Sequence, residues 1–444
     1  MARVADGSWS GTNWAGNVTY AAQRLHRPKT VDELRRVVEA ATYARAVGTG
    51  HSFNLIANAA DDGAGDLVSV AGLPDEVEID AAARTVTVGA SMRYGDLATT
   101  LHAAGFALHN LASLPHISVA GAVATGTHGS GDRNGNLSTA VTALEMVTAG
   151  GELTTLARDA DGDTFAGSVV ALGALGIVTR VTLRIEPTYQ VAQWVYDGMP
   201  WETLYTQLSD VFASAYSVCV LTRWTTPRVD LVWQKHRLDE RPAGFEPPHE
   251  WLGATLADGE RHPVVGLAPQ PCTPQRGVPG PWHERLPHFR LDYTPSVGAE
   301  VQSEFFVPRE HAVAAIQAVR DIGAHIAPLL RVSELRTVAA DDLWLSPAYQ
   351  RDGLGIHFTW ADDVTGVLAV LPAIEAALAP FEPRPHWGKL FTMSPESVAA
   401  HYPRHADFGR LRGRLDPAST FANTYVDRYA PALPPDATAA SIRA

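Results

Sequence analysis

The run from Ser113 to Gly131, Ser-Leu-Pro-His-Ile-Ser-Val-Ala-Gly-Ala-Val-Ala-Thr-Gly-Thr-His-Gly-Ser-Gly, most constrains what this chain can become. It is dense in glycine, alanine, serine and threonine, a composition that does not suit an ordinary core helix or strand. Small side chains let backbone approach a large ligand, and hydroxyls supply short donors and acceptors. A second glycine segment, Val47-Gly48-Thr49-Gly50-His51-Ser52-Phe53-Asn54, follows the short strand pattern Ala44-Arg45-Ala46-Val47. Glycines placed after a strand allow backbone N–H groups to cradle a pyrophosphate. Neither segment has the strand, GxGxxG and acidic residue of a Rossmann unit.

Bulk properties exclude other classes. The 444 residues suffice for two domains, and 46% hydrophobic with 19% charged residues suits a globular core. A formal net charge of -13 argues against nucleic acid and against an anionic membrane surface as partners. Two cysteines, Cys219 and Cys272, cannot build a disulfide framework or a Cys-rich metal site. His116 and His128 have no suitably spaced partner ligands, so no metal is expected. Met1–Asn17 lacks a basic region followed by an apolar core, and no stretch has the uninterrupted apolar length of a membrane span. The expectation is a cytoplasmic monomer.

Helix and strand patterns mix along the chain. Thr30 and Glu33 form a capping box before Val31, Leu34, Val38 and Ala41 at helical spacing. Strands are expected at Leu67–Ala71, Val77–Ile79, Thr85–Val88 and Ile177–Ile185, with a hairpin at Leu144–Leu156 and a helix at Arg93–Ala104. Beyond Pro187, strands are expected at Tyr216–Trp224, Val229–Lys235, Val301–Val307, Leu330–Val338 and around Phe358. Helices are expected at Arg309–Ile326 and Val364–Phe381. Pro242–Pro287 is rich in Pro and Gly and reads as a long functional loop or lid. The tail after Ala430 reads as fraying.

The two glycine segments resemble the FAD-binding domain of the vanillyl-alcohol oxidase superfamily, and the resemblance is closest to alditol oxidases, also called xylitol oxidases. It extends from Asn13-Trp14-Ala15-Gly16-Asn17 to Phe421-Ala422-Asn423. It implies an α+β, two-domain fold. Residues 1–190 would form the FAD-binding domain and residues 191–400 a substrate (cap) domain with an antiparallel sheet flanked by helices. Residues 401–444 would return to the first domain. The histidine of the GxGH loop, here His51, would carry FAD covalently on the flavin 8α carbon. A neutral imidazole is a fit nucleophile for that bond. By the same resemblance Ala46, Val47, Gly48, Thr49, Gly50, His51, Ser52, Ser113, Ser118, Gly121, Ala122, Val123, Ala124, Thr125 and Val178 would contact FAD.

In the second half, Glu334-Leu335-Arg336 and His357-Phe358-Thr359 each place two polar residues on one strand face. Pro385-His386-Trp387-Gly388-Lys389 follows. The resemblance implies that Ser113, Glu334, Arg336, Thr359 and Lys389 bind substrate. A polyol offers only hydroxyls, which such a mixed set of donors and acceptors would match. Oxidation of a terminal CH2OH would send a hydride to flavin N5, with O2 as final acceptor and H2O2 as product. Arg336 and Lys389 would stabilise charge developing on the substrate oxygen; His357 is a candidate proton acceptor or a polar neighbour of the flavin, and Lys389 could serve as the base where burial lowers its pKa. The competing readings are an aldonolactone oxidase or dehydrogenase of the same superfamily, and a non-catalytic flavoprotein.

Overall fold

The computed structural model describes residues 2–3, 9–59, 63–293 and 300–434. The Pro- and Ala-rich tail from residue 435 on lies outside the described residues. Parallel strands need a crossover. One is supplied between β1 (Arg24–His26) and β2 (Ala44–Ala46) by α1 (Val31–Ala40), and β3 (Asp66–Val68) pairs in parallel between the two strands. The Thr30 hydroxyl accepts from Glu33 N at 3.1 Å, and the Glu33 carboxylate reaches back to Lys29 N at 2.7 Å. The strand expected at Leu67–Ala71 ends at Val68, because Val70–Gly72 turns as a short 3-10 helix.

A five-stranded antiparallel sheet comes next. β4 (Glu78–Asp80) and β5 (Thr85–Gly89) are followed by helices α2 (Tyr94–Ala103) and α3 (Val119–Ala124). The hairpin β6 (Val141–Val147) and β7 (Leu153–Ala157), helix α4 (Arg158–Val169) and strand β8 (Ile177–Arg184) complete the unit. The strand order is β7-β6-β8-β5-β4. A short helix thus sits inside the glycine-rich run, where the composition suggested neither helix nor strand.

The third sheet is the largest. Its main strands are β9 (Gln190–Pro200), β10 (Ser217–Thr222), β11 (Arg228–Arg237), β12 (Glu300–Pro308), β13 (Leu330–Val338) and β14 (Gly353–Ala361). They pair antiparallel in the order β9-β11-β10-β13-β14-β12. Strand β9 left no alternating pattern to read, since Val191 to Tyr196 are buried on both faces. One face of β12, β13 and β14 presents Phe305, Leu335, Ile356 and Phe358 to α5 (Ala312–Asp321) and α6 (Val364–Leu378). The helix expected over Arg309–Ile326 is broken. It begins as a 3-10 turn, runs to Asp321, is interrupted at Ile322 and resumes over Gly323–Ile326, where Gly323 packs against Trp224. Val364–Phe381 is long and apolar enough to cross a membrane by length and composition. Glu375 interrupts it and accepts from Thr392 N and Oγ, while Val367, Leu371, Ile374 and Leu378 face the core. Pro242–Pro287 is largely irregular, with strands of two or three residues.

The chain closes with α7 (His405–Leu415) and α8 (Thr424–Tyr429). Between them the chain returns to the first sheet: Ala44 N donates to Thr420 O, and Asn423 Nδ2 donates to Leu55, Ile56 and Asn58 carbonyls. The buried Arg45 guanidinium joins the same segments. It donates to the carbonyls of Ile56, Leu172, Gly173 and Phe421. Arg45→Met is expected to leave those carbonyls without a donor and lower stability by about 3 kcal/mol or more, read by urea unfolding.

Candidate functional site

A cavity of about 420 Å³ lies between the glycine segments and the polar face of the third sheet, a size that suits small ligands. Its wall includes Ala46, Val47, Gly48, Thr49, Gly50, His51 and Ser52 from the first segment. Ser113, Ser118, Gly121, Ala122, Ala124 and Thr125 come from the second, and Val178 from β8. Val123 is the exception. Helical spacing turns it with Val119 into the apolar core, so its side chain does not reach the wall. The two segments touch: Ser118 N donates to Thr49 Oγ at 3.2 Å. A Cβ on Gly48 would stand 2.5 Å, and one on Gly121 2.8 Å, from Ser118 Oγ. Only glycine permits so close an approach. The resulting slot, walled by backbone and hydroxyls, fits an extended nucleotide cofactor.

His51 projects at this wall. Its Nδ1 lies 3.0 Å from Thr49 Oγ, and its ring stacks on Trp14 with centroids 5.3 Å apart. Burial, aided by nearby His116, lowers its pKa to about 4. The imidazole is therefore neutral at physiological pH, with Nε2 not engaged by Thr49.

The opposite wall is built by strand alternation and register. Glu304 on β12, His357 on β14 and Glu334 on β13 are cross-strand neighbours in one row. Gln302, Thr359 and Val332 form the next row, and Arg336 lies one row the other way. All seven line the cavity, as does Lys389. Arg336 pairs with Glu334 and donates to Ser113 Oγ at 2.6 Å. Lys389 Nζ donates to Glu304 Oε2 at 2.7 Å and meets His357 Nδ1 at 2.8 Å. His357 Nε2 meets Thr359 Oγ at 3.1 Å. Burial and the Lys389 charge lower the His357 pKa to about 3. Burial also lowers Lys389, against the pull of Glu304. Burial alone would raise Glu304, but Lys389 and His128 hold it well below the usual carboxylate range.

Reasoning from sequence brought Ser113, Glu334, Arg336, His357, Thr359 and Lys389 together and missed Glu304, Gln302 and His128. A signal existed. Glu300, Gln302 and Glu304 alternate with Val301, Ser303 and Phe305 along an apolar strand, so a polar face was legible there. His128 carries no local signal beyond its place in the glycine-rich run. The long irregular segment contributes His262, Pro263, Val264 and Leu267 to the wall. It is anchored where Lys235 Nζ donates to Arg285 and Pro287 carbonyls, and where His288 N and Phe289 N donate to Ser113 O.

Cys219, His288 and Glu334 bring potential metal ligands within 4.8 Å of one another. Glu334 is already paired with Arg336, and both Arg336 and Lys235 act on Cys219 and His288. The Arg336 guanidinium at the cluster opposes a divalent ion.

Residues 22–157 match the FAD binding domain family and residues 299–429 the D-arabinono-1,4-lactone oxidase family. An alditol oxidase from a Streptomyces species is 49% identical over 94% of this chain and 97% of its own. The chain belongs to the alditol oxidase family, within the vanillyl-alcohol oxidase flavoproteins. It is an oxidoreductase with an FAD-binding domain. The L-gulono-1,4-lactone dehydrogenase of Mycobacterium tuberculosis is 29% identical, over 95% of this chain and 98% of its own. Cholesterol oxidase from B. sterolicum shares the fold at a TM-score of 0.77 and 15% identity, covering 96% of this chain and 97% of its own. The expected α+β fold, with a large antiparallel sheet beside an FAD-binding domain, agrees with these relatives.

The buried Arg336–Glu334 pair can be tested alone. Glu334→Leu leaves a buried guanidinium without its counter-charge and is expected to cost about 3–5 kcal/mol. The double change Glu334→Leu with Arg336→Met should recover most of that loss in denaturant unfolding.

Proposed function

We propose that this protein oxidises a terminal CH2OH of an alditol such as xylitol or sorbitol to the aldose, with FAD bound covalently through His51. The observation that carries this reading is one cavity with two kinds of wall. The glycine segments, with His51 and Ser113, form one side, and Glu334, Arg336, Thr359 and Lys389 form the other. When bound, FAD supplies the acceptor for the hydride leaving the substrate carbon, and O2 takes the electrons on to give hydrogen peroxide.

The chain's own residues do the rest. Glu334 accepts from substrate hydroxyls, while Arg336 and Ser113 hold one another at the wall for donation to a hydroxyl oxygen. An ammonium has three N–H donors. Lys389 directs two at Glu304 and His357, leaving a third for the reacting hydroxyl. Arg336 and Lys389 then stabilise negative charge as the hydroxyl releases its proton to solvent while the hydride leaves the carbon, an effect strengthened by burial. His357 is neutral and engaged at both ring nitrogens. It orients Lys389 and does not take the substrate proton directly, which revises its reading as the acceptor. At His51 the Thr49 contact occupies Nδ1 and leaves Nε2 for the bond to the cofactor.

A lactone substrate is the second reading, favoured by the D-arabinono-1,4-lactone oxidase match over the very residues that carry Glu304, Glu334, Arg336, His357 and Lys389. Anaerobic mixing with xylitol or with L-gulono-1,4-lactone separates the two. Xylitol is expected to bleach the flavin absorbance and air to restore it with peroxide. Bleaching by the lactone alone would replace the alditol reading. Lys389→Met should slow bleaching about 100-fold or more. An unchanged rate in both Lys389→Met and Arg336→Ala would leave the cavity without a catalytic role. His51→Ala should release all its FAD on acid precipitation, whereas the parent protein keeps its colour in the pellet.

A further inference from the structure

His128 sits in the glycine-rich run, 5% exposed, with both ring nitrogens against oxygen. Its Nδ1 lies 2.8 Å from Gly129 O, and its Nε2 lies 3.0 Å from Glu304 Oε1. A carbonyl only accepts, so Nδ1 must carry a proton. An ionised carboxylate also only accepts, so Nε2 must carry one too. The other carboxylate oxygen, Oε2, accepts from Lys389 at 2.7 Å. One buried carboxylate is therefore shared by two donors, one from the glycine run and one from the catalytic cavity.

The remaining neighbours do not compete for it as cations. His357 on β14 is 3.8 Å away and is kept neutral by burial and by Lys389. His386 uses Nδ1 to accept from Gly388 N and is buried in the neutral form. Arg336 on β13 is paired with Glu334. Glu300, on the same strand as Glu304, accepts from Gln302 Nε2.

We propose that Glu304 holds His128 as a doubly protonated imidazolium, and that the pair is a positioning unit that sets the charge and aim of Lys389. Glu304 fixes the ammonium by one oxygen, while His128 withdraws part of the carboxylate's charge by the other. The two partners therefore act on Lys389 with opposite sign. Glu304 favours its protonated form, and His128 opposes it through the shared carboxylate. The role in turnover rests on the alditol reading; the protonation state of His128 does not.

Nitrogen-15 spectra of the histidine-labelled holoprotein at pH 8 read that state directly. Two protonated ring-nitrogen signals that vanish in His128→Asn are expected, and a neutral ring would overturn the proposal. The pH profile of anaerobic reduction by xylitol tests the positioning role. Glu304→Gln is expected to slow reduction about tenfold or more and to move the alkaline loss of activity down by about one pH unit, because Lys389 then loses its proton more easily. Glu304→Asp should restore part of both, and His128→Asn should move the alkaline limb upward. Limbs that stay in place, or that move in the same direction in Glu304→Gln and His128→Asn, would overturn the role. Should Glu304→Gln fail to fold, the upward shift in His128→Asn still decides it. A parent protein that xylitol does not bleach would refute the alditol reading, while the nitrogen-15 signals would still decide the imidazolium.

Discussion

A carboxylate buried on the inner face of a sheet must be balanced where it stands, and the functional half of this protein is arranged around that requirement. Glu304 is 2% exposed. Removing an ion from water costs several kcal/mol even after relaxation. Lys389 and His128 offset that cost from opposite sides, and Lys389 in turn meets His357, which meets Thr359. Arg336 and Glu334 form a second balanced pair beside them. The site can thus be both charged and dry, the condition under which a fixed cation acts most strongly on a developing anion.

The sheet makes this arrangement possible through its two-residue period. In β12, β13 and β14 one face packs apolar side chains on α5 and α6, and the other presents acids, bases and hydroxyls to the cavity. Antiparallel pairing aligns Glu304, His357 and Glu334 across three strands. A register slip of one residue would put the charges into the helix interface and Phe305, Phe358 and Leu335 into the cavity. Folding and function therefore select the same register. On the far wall, glycines at 48 and 121 make room for Ser118 to join two distant segments. Arg45 then ties that wall to the returning C-terminal stretch through Phe421.

Much of this was legible locally. The capping box at Thr30 and Glu33, the hairpin of β6 and β7, and the strands bearing Glu334, Arg336, His357 and Thr359 follow from periodicity and turn residues. The glycine run was recognisable as a ligand wall because no packing need explains its composition. What local pattern hid were elements decided by burial. Strand β9 is covered on both faces and shows no alternation. The helix expected to reach Ile326 does so only after an interruption at Ile322, beside the contact of Gly323 with Trp224. Val123 follows the helical period of α3, which the small residues around it masked.

The place of His51 beside a cofactor came from the family resemblance; the sequence by itself determined that a long small-residue run suits close contact with a large ligand, and that alternate positions on two strands carry a polar face. These are statements about neighbours within a few residues, where backbone geometry dictates direction. Only the tertiary structure decided that Lys389 shares Glu304 with His128, that His357 has no nitrogen to spare, and that Arg336 reaches Ser113. Apart from Thr359, two positions from His357, those partners are separated by 32 to 223 positions in the chain, so their meeting depends on sheet register and on the docking of the glycine run against it. Coulomb interaction and desolvation then depend on distances and burial that no local pattern encodes.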